Sequence, residues 1–259
     1  MHIDGVRARS FGAVARAYDD SRPGYPEAAL DAALTGAPGR ADEQARSRVL
    51  DLGAGTGKLT RPLLARGLDV VAVEPDPEML AVLRERSPDA DARPGSAERI
   101  PLPDDDVDVV LAGQALHWFD LDRAVPELAR VLRPGGVLAG LWNGGDDEVG
   151  WVRELGELTV RGRRVPDDPA GGGAAGPRYP GSPWFGEPVE ARIAWERPTT
   201  VEAHLADLAT HSWALLSSPA DREALFGVVR GFLSERIADP DGAFVMPMRT
   251  IVRRSRLLA

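Results

Sequence analysis

The chain has 259 residues, of which 43% are hydrophobic and 27% charged, a balance typical of a globular protein with one core. Its formal net charge of −9 argues against a nucleic-acid-binding protein, because such proteins usually present a basic face. It has no cysteine, which excludes disulfides and cysteine-ligated metals, and its four histidines lack H-E-x-x-H spacing, so no metal site is expected.

Residues 1–35 precede the first strand of the predicted fold. Apolar and aromatic side chains recur there at helical spacing, and two prolines end the helix at Pro23 and Pro26. Residues 27–34 are predicted as a second helix, and residues 36–46 as a surface loop. The residues alone indicate an arm that packs over one edge of a sheet, and its first helix has the apolar face Phe11, Val14, Ala15 and Tyr18.

A strand turns through three glycines into a helix at residues 48–58, R-V-L-D-L-G-A-G-T-G-K. The glycines allow unusual φ and close approach of a ligand, and the helix N-terminus presents unpaired N–H groups. A dinucleotide fingerprint would need glycine where the chain has Lys58 or Thr60. A phosphate-binding P-loop would need glycine at Leu52 and a hydroxyl at Leu59. An ordinary glycine-rich turn is the alternative.

The next strand, residues 69–74, ends in an acid. Glu74 lies 23 positions after Asp51, and in a strand–helix–strand unit such an acid lies beside the ribose of a bound nucleotide. A carboxylate there can accept hydrogen bonds from both ribose hydroxyls. The alternative is an acid that merely ends a strand. Residues 75–79, P-D-P-E-M, then begin a helix with proline in its first turn.

Two loops flank the predicted strand 107–111. The first, residues 91–106, contains G-S-A-E at 95–98 and an acidic turn, and the second, residues 113–120, reads G-Q-A-L-H-W-F-D. Ligands of open α/β sheets bind outside the carboxyl ends of the strands, so the second loop is expected to face a ligand. His117 could act there as a general base, since its reference pKa near ~6.5 suits neutral pH. The alternative is a structural histidine that forms a pocket wall with Trp118.

The remaining elements are predicted from periodicity. They are a helix over 122–132, a strand over 137–143, a helix over 148–161, a strand over 189–196, helices over 201–215 and 219–237, and a last strand over 242–253. The Gly/Pro/Ala-rich stretch 167–183 has no periodicity and is expected to be mobile. Trp151, Tyr179, Trp184 and Phe185 are candidates for a substrate wall or, equally, for the core, and His211 could reach the pocket mouth.

The pattern Asp51-x-Gly-x-Gly-x-Gly57 resembles motif I of the class I S-adenosylmethionine (SAM)-dependent methyltransferases. The resemblance covers residues 11–143 strongly and 189–257 weakly, including Y-D-D-S-R-P-G-Y-P at 18–26, the G-S-A-E loop, the A-L-H-W loop and L-R-P-G-G at 132–136. It implies an α/β fold, a doubly wound, Rossmann-like, mostly parallel seven-stranded sheet with an antiparallel last strand and an N-terminal helical lid. Arg22 would then lie near the methionine carboxylate, because a guanidinium can pair with both oxygens.

The same resemblance implies a set of site residues. The cofactor SAM, with S-adenosylhomocysteine as its product, would contact Tyr18, Arg22, Asp51, Gly53, Ala54, Gly55, Thr56, Gly57, Glu74, Pro75, Met79, Ala97, Glu98, Gln114, Ala115, His117 and Trp118. The acceptor would contact Tyr25, Trp151, Trp184, Phe185 and His211, with no metal. His117 is the one candidate catalytic residue, and we favour the wall interpretation because family members with different substrates share the His-Trp pair.

We therefore expect a single domain, 1–259, with a lid (1–35), a SAM-binding core (36–143), a variable acceptor-side insertion (144–187) and C-terminal strands and helices (188–259). The expected function is methyl transfer from SAM to a small-molecule acceptor. The alternatives are a SAM-binding enzyme of other chemistry, such as cyclisation, or a non-catalytic SAM-binding module. We expect a cytoplasmic monomer or homodimer with no nucleic-acid or membrane partner, since no apolar run could span a bilayer and 1–7 lack a signal core.

Overall fold

The computed structural model describes residues 14–37, 47–162, 179–180, 183–237, 239 and 241–258. The expectations for Phe11 and for most of the stretch 167–183 fall outside these described residues.

In the described part of the chain, seven strands form one sheet in the order β3-β2-β1-β4-β5-β7-β6. The strands are β1 (Arg48–Leu52), β2 (Asp69–Glu74), β3 (Asp91–Pro94), β4 (Val107–Gly113), β5 (Leu132–Gly145), β6 (Val189–Thr200) and β7 (Ala243–Arg256). Neighbours from β3 to β5 pair in parallel, whereas β7 is antiparallel to both β5 and β6. The predicted mostly parallel sheet with an antiparallel last strand is confirmed.

Helices cover both faces of this sheet. They are α1 (Ala15–Ser21), α2 (Glu27–Leu34), α3 (Thr60–Ala65), α4 (Pro77–Arg86), α5 (Leu121–Val131), α6 (Gly150–Gly162), α7 (Val201–Ala209), α8 (Ser212–Leu216) and α9 (Pro219–Ser234). Side chains of a strand alternate between faces, so Val49 packs with α2 and α3, while Leu50 packs with α5 on the other side. Burial on both faces explains why β1, β2 and β4 are almost continuously apolar.

The helices that follow β5 have a separate core. Side chains of α6 to α9 pack together with Met246 and Met248 from the start of β7. That start lies beside Gly145, at the carboxyl end of β5, because Gly145 pairs with Met248. The C-terminal helices are therefore anchored at the same edge of the sheet at which β1, β2 and β4 end.

The predicted helix 201–215 is interrupted, which corrects that expectation. The chain is helical to Ala209 and again from Ser212, while His211 is extended with φ −74° and ψ 147°. The Thr210 hydroxyl donates to the carbonyl of Asp207 at 2.7 Å. Such local side-chain bonds compete with helical continuation, and here the break leaves Thr210 facing the N-terminal segment. No helix among the described residues is long and apolar enough to cross a membrane.

Candidate active site

The glycine corner joins β1 to α3 and is held against β2. The N–H groups of Gly53 and Ala54 donate to the carbonyl of Val73 at 2.9 and 3.1 Å. Gly53, Gly55 and Gly57 have φ of +71°, +56° and +86°, a region that favours glycine. The predicted need for glycine at these positions is thus explained by the backbone of the turn.

The first two glycines meet different surroundings. A Cβ on Gly53 would lie 2.7 Å from the Cβ of Ala115, so the glycine allows the loop after β1 to touch the loop after β4. A Cβ on Gly55 would have no atom within 4 Å. The backbone at Gly55 therefore borders open space, as a loop that contacts a ligand must. Ala54, between these two glycines, is buried against Leu83, and Thr56, which follows Gly55, is fully buried.

Glu74 receives hydrogen bonds from two loops. Its carboxylate accepts from the N–H of Gly55 at 2.8 Å and from the N–H of Asp76 at 2.9 Å. The side chain is 7% exposed, and burial raises its pKa to about 7, against the opposing effect of these two backbone donors. Each carboxylate oxygen has a second lone pair, so both can still accept from a ligand. Pro75 beside it is exposed.

Asp51 lies beneath the glycine corner. It is 1% exposed and accepts from the Thr60 hydroxyl at 2.6 Å, and burial raises its pKa to about 7. Its carboxylate fixes the start of α3 under the loop. The Asp76 carboxylate caps α4 by accepting from the N–H groups of Glu78 and Met79, so it fixes the turn that follows Glu74.

The loop after β4 contains a strained residue. Gln114 has φ +54°, and its N–H donates to the carbonyl of Leu141 while its side-chain amide donates to that of Asn143, both at 2.8 Å. The rings of His117 and Trp118 follow, half-buried, with centroids 4.8 Å apart. These two hydrogen bonds hold the loop at the carboxyl ends of β4 and β5.

The G-S-A-E loop after β3 contacts the same region. Glu98 accepts from the N–H of Asp120, at the start of α5, at 3.0 Å, which ties this loop to the loop after β4. Ala97 is 3% exposed, in the same core cluster as Ala115. The structure thus brings the loops after β1, β2, β3 and β4 together at one edge.

The N-terminal segment lies over this edge. Tyr18 packs with Met79 of α4, and the guanidinium of Arg22 lies 5.2 Å from the centroid of the Tyr18 ring. A Cβ on Gly113 would lie 2.5 Å from the Tyr25 hydroxyl, so Tyr25 reaches the end of β4. Burial raises the pKa of both phenols, which keeps them protonated.

Sequence reasoning missed three residues that hold this segment. Asn143, at the end of β5, donates from its side-chain amide to the carbonyl of Gly24 at 2.9 Å. Thr210 accepts from Nε of Arg22 at 2.8 Å, and Asp207 lies 3.4 Å from the same nitrogen. Asn143 could have been predicted as a site residue because it ends a strand, whereas nothing in the local sequence distinguishes Thr210 or Asp207. His211 directly follows Thr210 and is thereby near the site.

Two substrate-wall candidates lie elsewhere. Phe185 pairs with Leu257, which bonds to Gly136 at the amino end of β5, and Trp184 accepts from the N–H of Leu258. The structure therefore places Trp184 and Phe185 at the edge of the sheet opposite the site, where Phe185 is 1% exposed. Tyr179 is also in the core, bonded to the carbonyl of Leu138. Trp151 stays on the site edge, at the start of α6 and 6.3 Å from the Phe244 ring.

Comparison with known proteins gives one consistent answer. A family model described as a methyltransferase domain matches residues 50–140. An uncharacterized methyltransferase of Mycobacterium tuberculosis is 43% identical over 264 residues and covers 96% of each chain. The malonyl-[acyl-carrier protein] O-methyltransferase of Methylococcus capsulatus is 43% identical over 99 residues, 36% of each chain.

Solved structures agree. One assigned as a type II methyltransferase from Anaeromyxobacter dehalogenans has a TM-score of 0.62 and 29% identity, and the match covers 92% of this chain and 98% of that one. The YcgJ protein of Bacillus subtilis, with a TM-score of 0.52 over 90% of this chain and 100% of that one, is 20% identical and shows the fold alone.

Proposed function

The chain belongs to the class I SAM-dependent methyltransferases, and from this premise we propose that it binds SAM at the carboxyl edge of the sheet and methylates a small-molecule acceptor. The convergence of Gly55 and Glu74 carries the proposal. The open backbone at Gly55 and the buried carboxylate of Glu74 lie 2.8 Å apart, so one ligand can touch both.

The residues present fit each part of SAM. Glu74 offers free lone pairs to ribose hydroxyls, and Met79 with Ala97 offers apolar surface for an adenine. Arg22 offers a guanidinium to a carboxylate at the other end. Tyr18, whose ring contacts both Met79 and Arg22, lies between these ends. The site therefore matches a nucleoside joined to an amino acid rather than a dinucleotide or a nucleoside triphosphate.

SAM supplies a methyl group on a sulfonium, which an acceptor atom can displace in line. The protein then has mainly to align the acceptor and exclude water. The lid segment with Tyr25 covers the end of β4, and the C-terminal helices border the same edge. His117 and Trp118 are proposed as a wall of this space, and a base is needed only where the acceptor atom has a proton to lose.

Calorimetric titration with SAM tests the donor site. Glu74→Ala removes hydrogen bonds to a charged group worth roughly 1.5–3 kcal/mol, so we expect SAM affinity to fall about ten- to a hundred-fold. Glu78→Ala, four positions later in the chain on the exposed side of α4, is the matched control and should leave affinity unchanged. Unchanged affinity in Glu74→Ala would disprove the ribose assignment.

Mass spectrometry tests the reaction. A metabolite pool incubated with protein and SAM should yield a product heavier by one CH₂, with release of S-adenosylhomocysteine. Because the relative in Methylococcus capsulatus is a malonyl-[acyl-carrier protein] O-methyltransferase, carrier-bound and free carboxylates belong in the pool. Product formation without loss of SAM would instead indicate another chemistry, and SAM binding without any product across the pool would indicate a binding module.

A further inference from the structure

Asp207 is a buried carboxylate at the end of α7 that serves two arginines. It is 7% exposed, and its Oδ2 accepts from Nη1 of Arg197 at 2.8 Å. Its Oδ1 lies 3.4 Å from Nε of Arg22. Arg197 also donates to the carbonyl of Ser21, next to Arg22 in the chain. The carboxylate thus lies between β6 and the end of the lid helix α1.

Thr210 completes the contact. Its hydroxyl donates to the carbonyl of Asp207 at 2.7 Å, which leaves the oxygen lone pairs to accept from Nε of Arg22 at 2.8 Å. The hydroxyl of this residue, which is only 2% exposed, is therefore oriented toward the arginine by the backbone. Together Asp207 and Thr210 hold one edge of the Arg22 guanidinium, its Nε edge.

The other edge of the guanidinium is available. Neither terminal nitrogen of Arg22 makes a hydrogen bond to any residue that the structure describes, although the side chain is only 16% exposed. Two parallel terminal N–H donors match the two oxygens of a carboxylate. Arg22, Arg197 and Asp207 together carry one net positive charge, which the carboxylate of a ligand would balance.

We propose that Asp207 and Thr210 are positioning residues that aim the terminal nitrogens of Arg22 at the carboxylate of the bound donor's amino-acid group. The inference rests on the proposed function, because it takes that group to be the methionine end of SAM. It adds that recognition of SAM depends on α7, a helix of the C-terminal segment 188–259 that lies outside the SAM-binding core predicted at 36–143. If the Arg22 guanidinium rotated, one or both of its terminal nitrogens would lose a hydrogen bond to the ligand.

Two ligands separate this role from a general effect on folding. S-adenosylhomocysteine has the carboxylate, whereas 5′-methylthioadenosine has the adenosine and sulfur without the amino-acid group. We expect Asp207→Asn and Thr210→Val to weaken S-adenosylhomocysteine binding about tenfold, the value of a charge-assisted bond, and to leave 5′-methylthioadenosine binding unchanged. Thr210→Ser keeps the hydroxyl and should bind both ligands as the wild type does. Calorimetry measures all of these affinities.

The sign of the Asp207→Asn effect is decisive. A carboxylate that acted only through its charge would repel the ligand's carboxylate, so its removal would strengthen S-adenosylhomocysteine binding and overturn the proposal. Equal weakening of both ligands would assign Asp207 and Thr210 to folding alone. In Arg22→Met, adding Asp207→Asn should cause no further loss of S-adenosylhomocysteine affinity, because residues that act through one group are not additive.

Failure of the two proposals can be told apart. A wild-type protein that binds neither ligand contradicts the donor site itself. A wild-type protein that prefers S-adenosylhomocysteine, with the same preference in Asp207→Asn and Thr210→Val, keeps the donor site and contradicts only the positioning role.

Discussion

At Glu74 two loops of the site meet at one carboxylate, which is oriented before a ligand arrives. The donors are backbone N–H groups of Gly55 and Asp76, so their directions are set by the fold rather than by side-chain rotamers. An acceptor fixed in this way loses little conformational entropy when it binds. Burial also raises its pKa to about 7, which makes its charge sensitive to pH near neutrality.

This pKa predicts how nucleoside affinity depends on pH. Ribose hydroxyls donate best to the ionised carboxylate, so 5′-methylthioadenosine should bind more tightly as the pH rises through about 7, and its affinity should level off about one pH unit higher. This ligand has no amino-acid group to titrate in that range. In Glu74→Gln, which keeps an acceptor oxygen but cannot ionise, the rise in calorimetric affinity through about pH 7 should be much smaller than in the wild type. Any rise that remains would come from other groups, such as Asp51, whose pKa is also raised to about 7. The same rise in both proteins would contradict the assignment.

The glycines at 53 and 55 should respond differently to alanine. Gly53→Ala places a Cβ 2.7 Å from that of Ala115, so we expect a lower melting temperature as well as lost SAM binding. Gly55→Ala meets no protein atom and adds only the cost of positive φ, about 1 kcal/mol, but its methyl group enters the space proposed for the ligand. Thermal unfolding and SAM titration should therefore separate the two variants. A Gly55→Ala protein with wild-type affinity would show that no ligand approaches this loop.

His117 is predicted to matter moderately. Its half-buried ring lies against Trp118 at the end of β4, where a wall residue would contact the acceptor. Since a general base contributes about 10²–10⁴-fold, we expect His117→Ala to lower kcat by less than about a hundred-fold at saturating SAM. pH–rate profiles with an identified acceptor measure this. A thousand-fold loss that also removes a limb near neutral pH would make His117 the base.

At the scale of elements, α1 is fixed at several points. Asp19 accepts from Arg61 of α3 at 2.7 Å, and the Arg197 and Asn143 bonds hold the segment from the other side. The partners belong to α3, β6 and β5, which border the proposed donor space. The segment is thus attached to elements on both sides of the ligand rather than to one neighbouring helix.

SAM binding should slow hydrogen exchange at the end of α1, residues 18–22. Tyr18 and Arg22 are proposed ligand contacts, and the N–H of Arg22 closes the last turn of α1 on the carbonyl of Tyr18. We expect amides at 18–22 to exchange more slowly with SAM than without it, whereas those of α9 should not change. Identical exchange at 18–22 in both states would make the segment a permanent packing arm.

At the scale of the molecule, the two edges of the sheet differ in role. The loops of the proposed site end the strands at the carboxyl edge, and Trp184 lies at the opposite edge, 47% exposed. The position of Trp184 in the sequence, just before β6, does not predict at which edge of the sheet this residue lies.

Tryptophan fluorescence can report this division. S-adenosylhomocysteine should change the emission of the wild type, and Trp118→Phe should remove most of that change because Trp118 lies in the loop after β4. Trp184→Phe is the matched control and should retain it. If the change in emission remained in Trp118→Phe but disappeared in Trp184→Phe, the ligand would bind at the amino edge of the sheet, which would contradict the proposed site.

The sequence predicted what depends on short-range pattern. The glycines, the acid ending β2 and the alternation of apolar residues are local, and the predicted strands follow from them. Strand β3 (Asp91–Pro94) is not predicted, because it lies in the stretch 91–106 that the pattern predicts as a loop. The break at Thr210 and the contact of Asp207 with Arg22 could not be predicted, because the Arg22–Thr210 bond joins residues 188 positions apart. Which of their two predicted roles Trp184 and Phe185 have depends on a similar long-range contact, since β7 doubles back and brings their neighbours to the amino end of β5, away from the proposed site.

The long separation of Arg22 from Thr210 has a consequence for biosynthesis. At roughly 5–20 residues per second, the ribosome adds Thr210 about ten to forty seconds after Arg22. The glycine corner and Glu74 are made early, but the partners that fix Arg22 emerge only with β6 and α7. A nascent chain therefore has the nucleoside half of the proposed site well before its amino-acid half, and contacts of Arg22 with the ligand's carboxylate can be fixed only after α7 has been made.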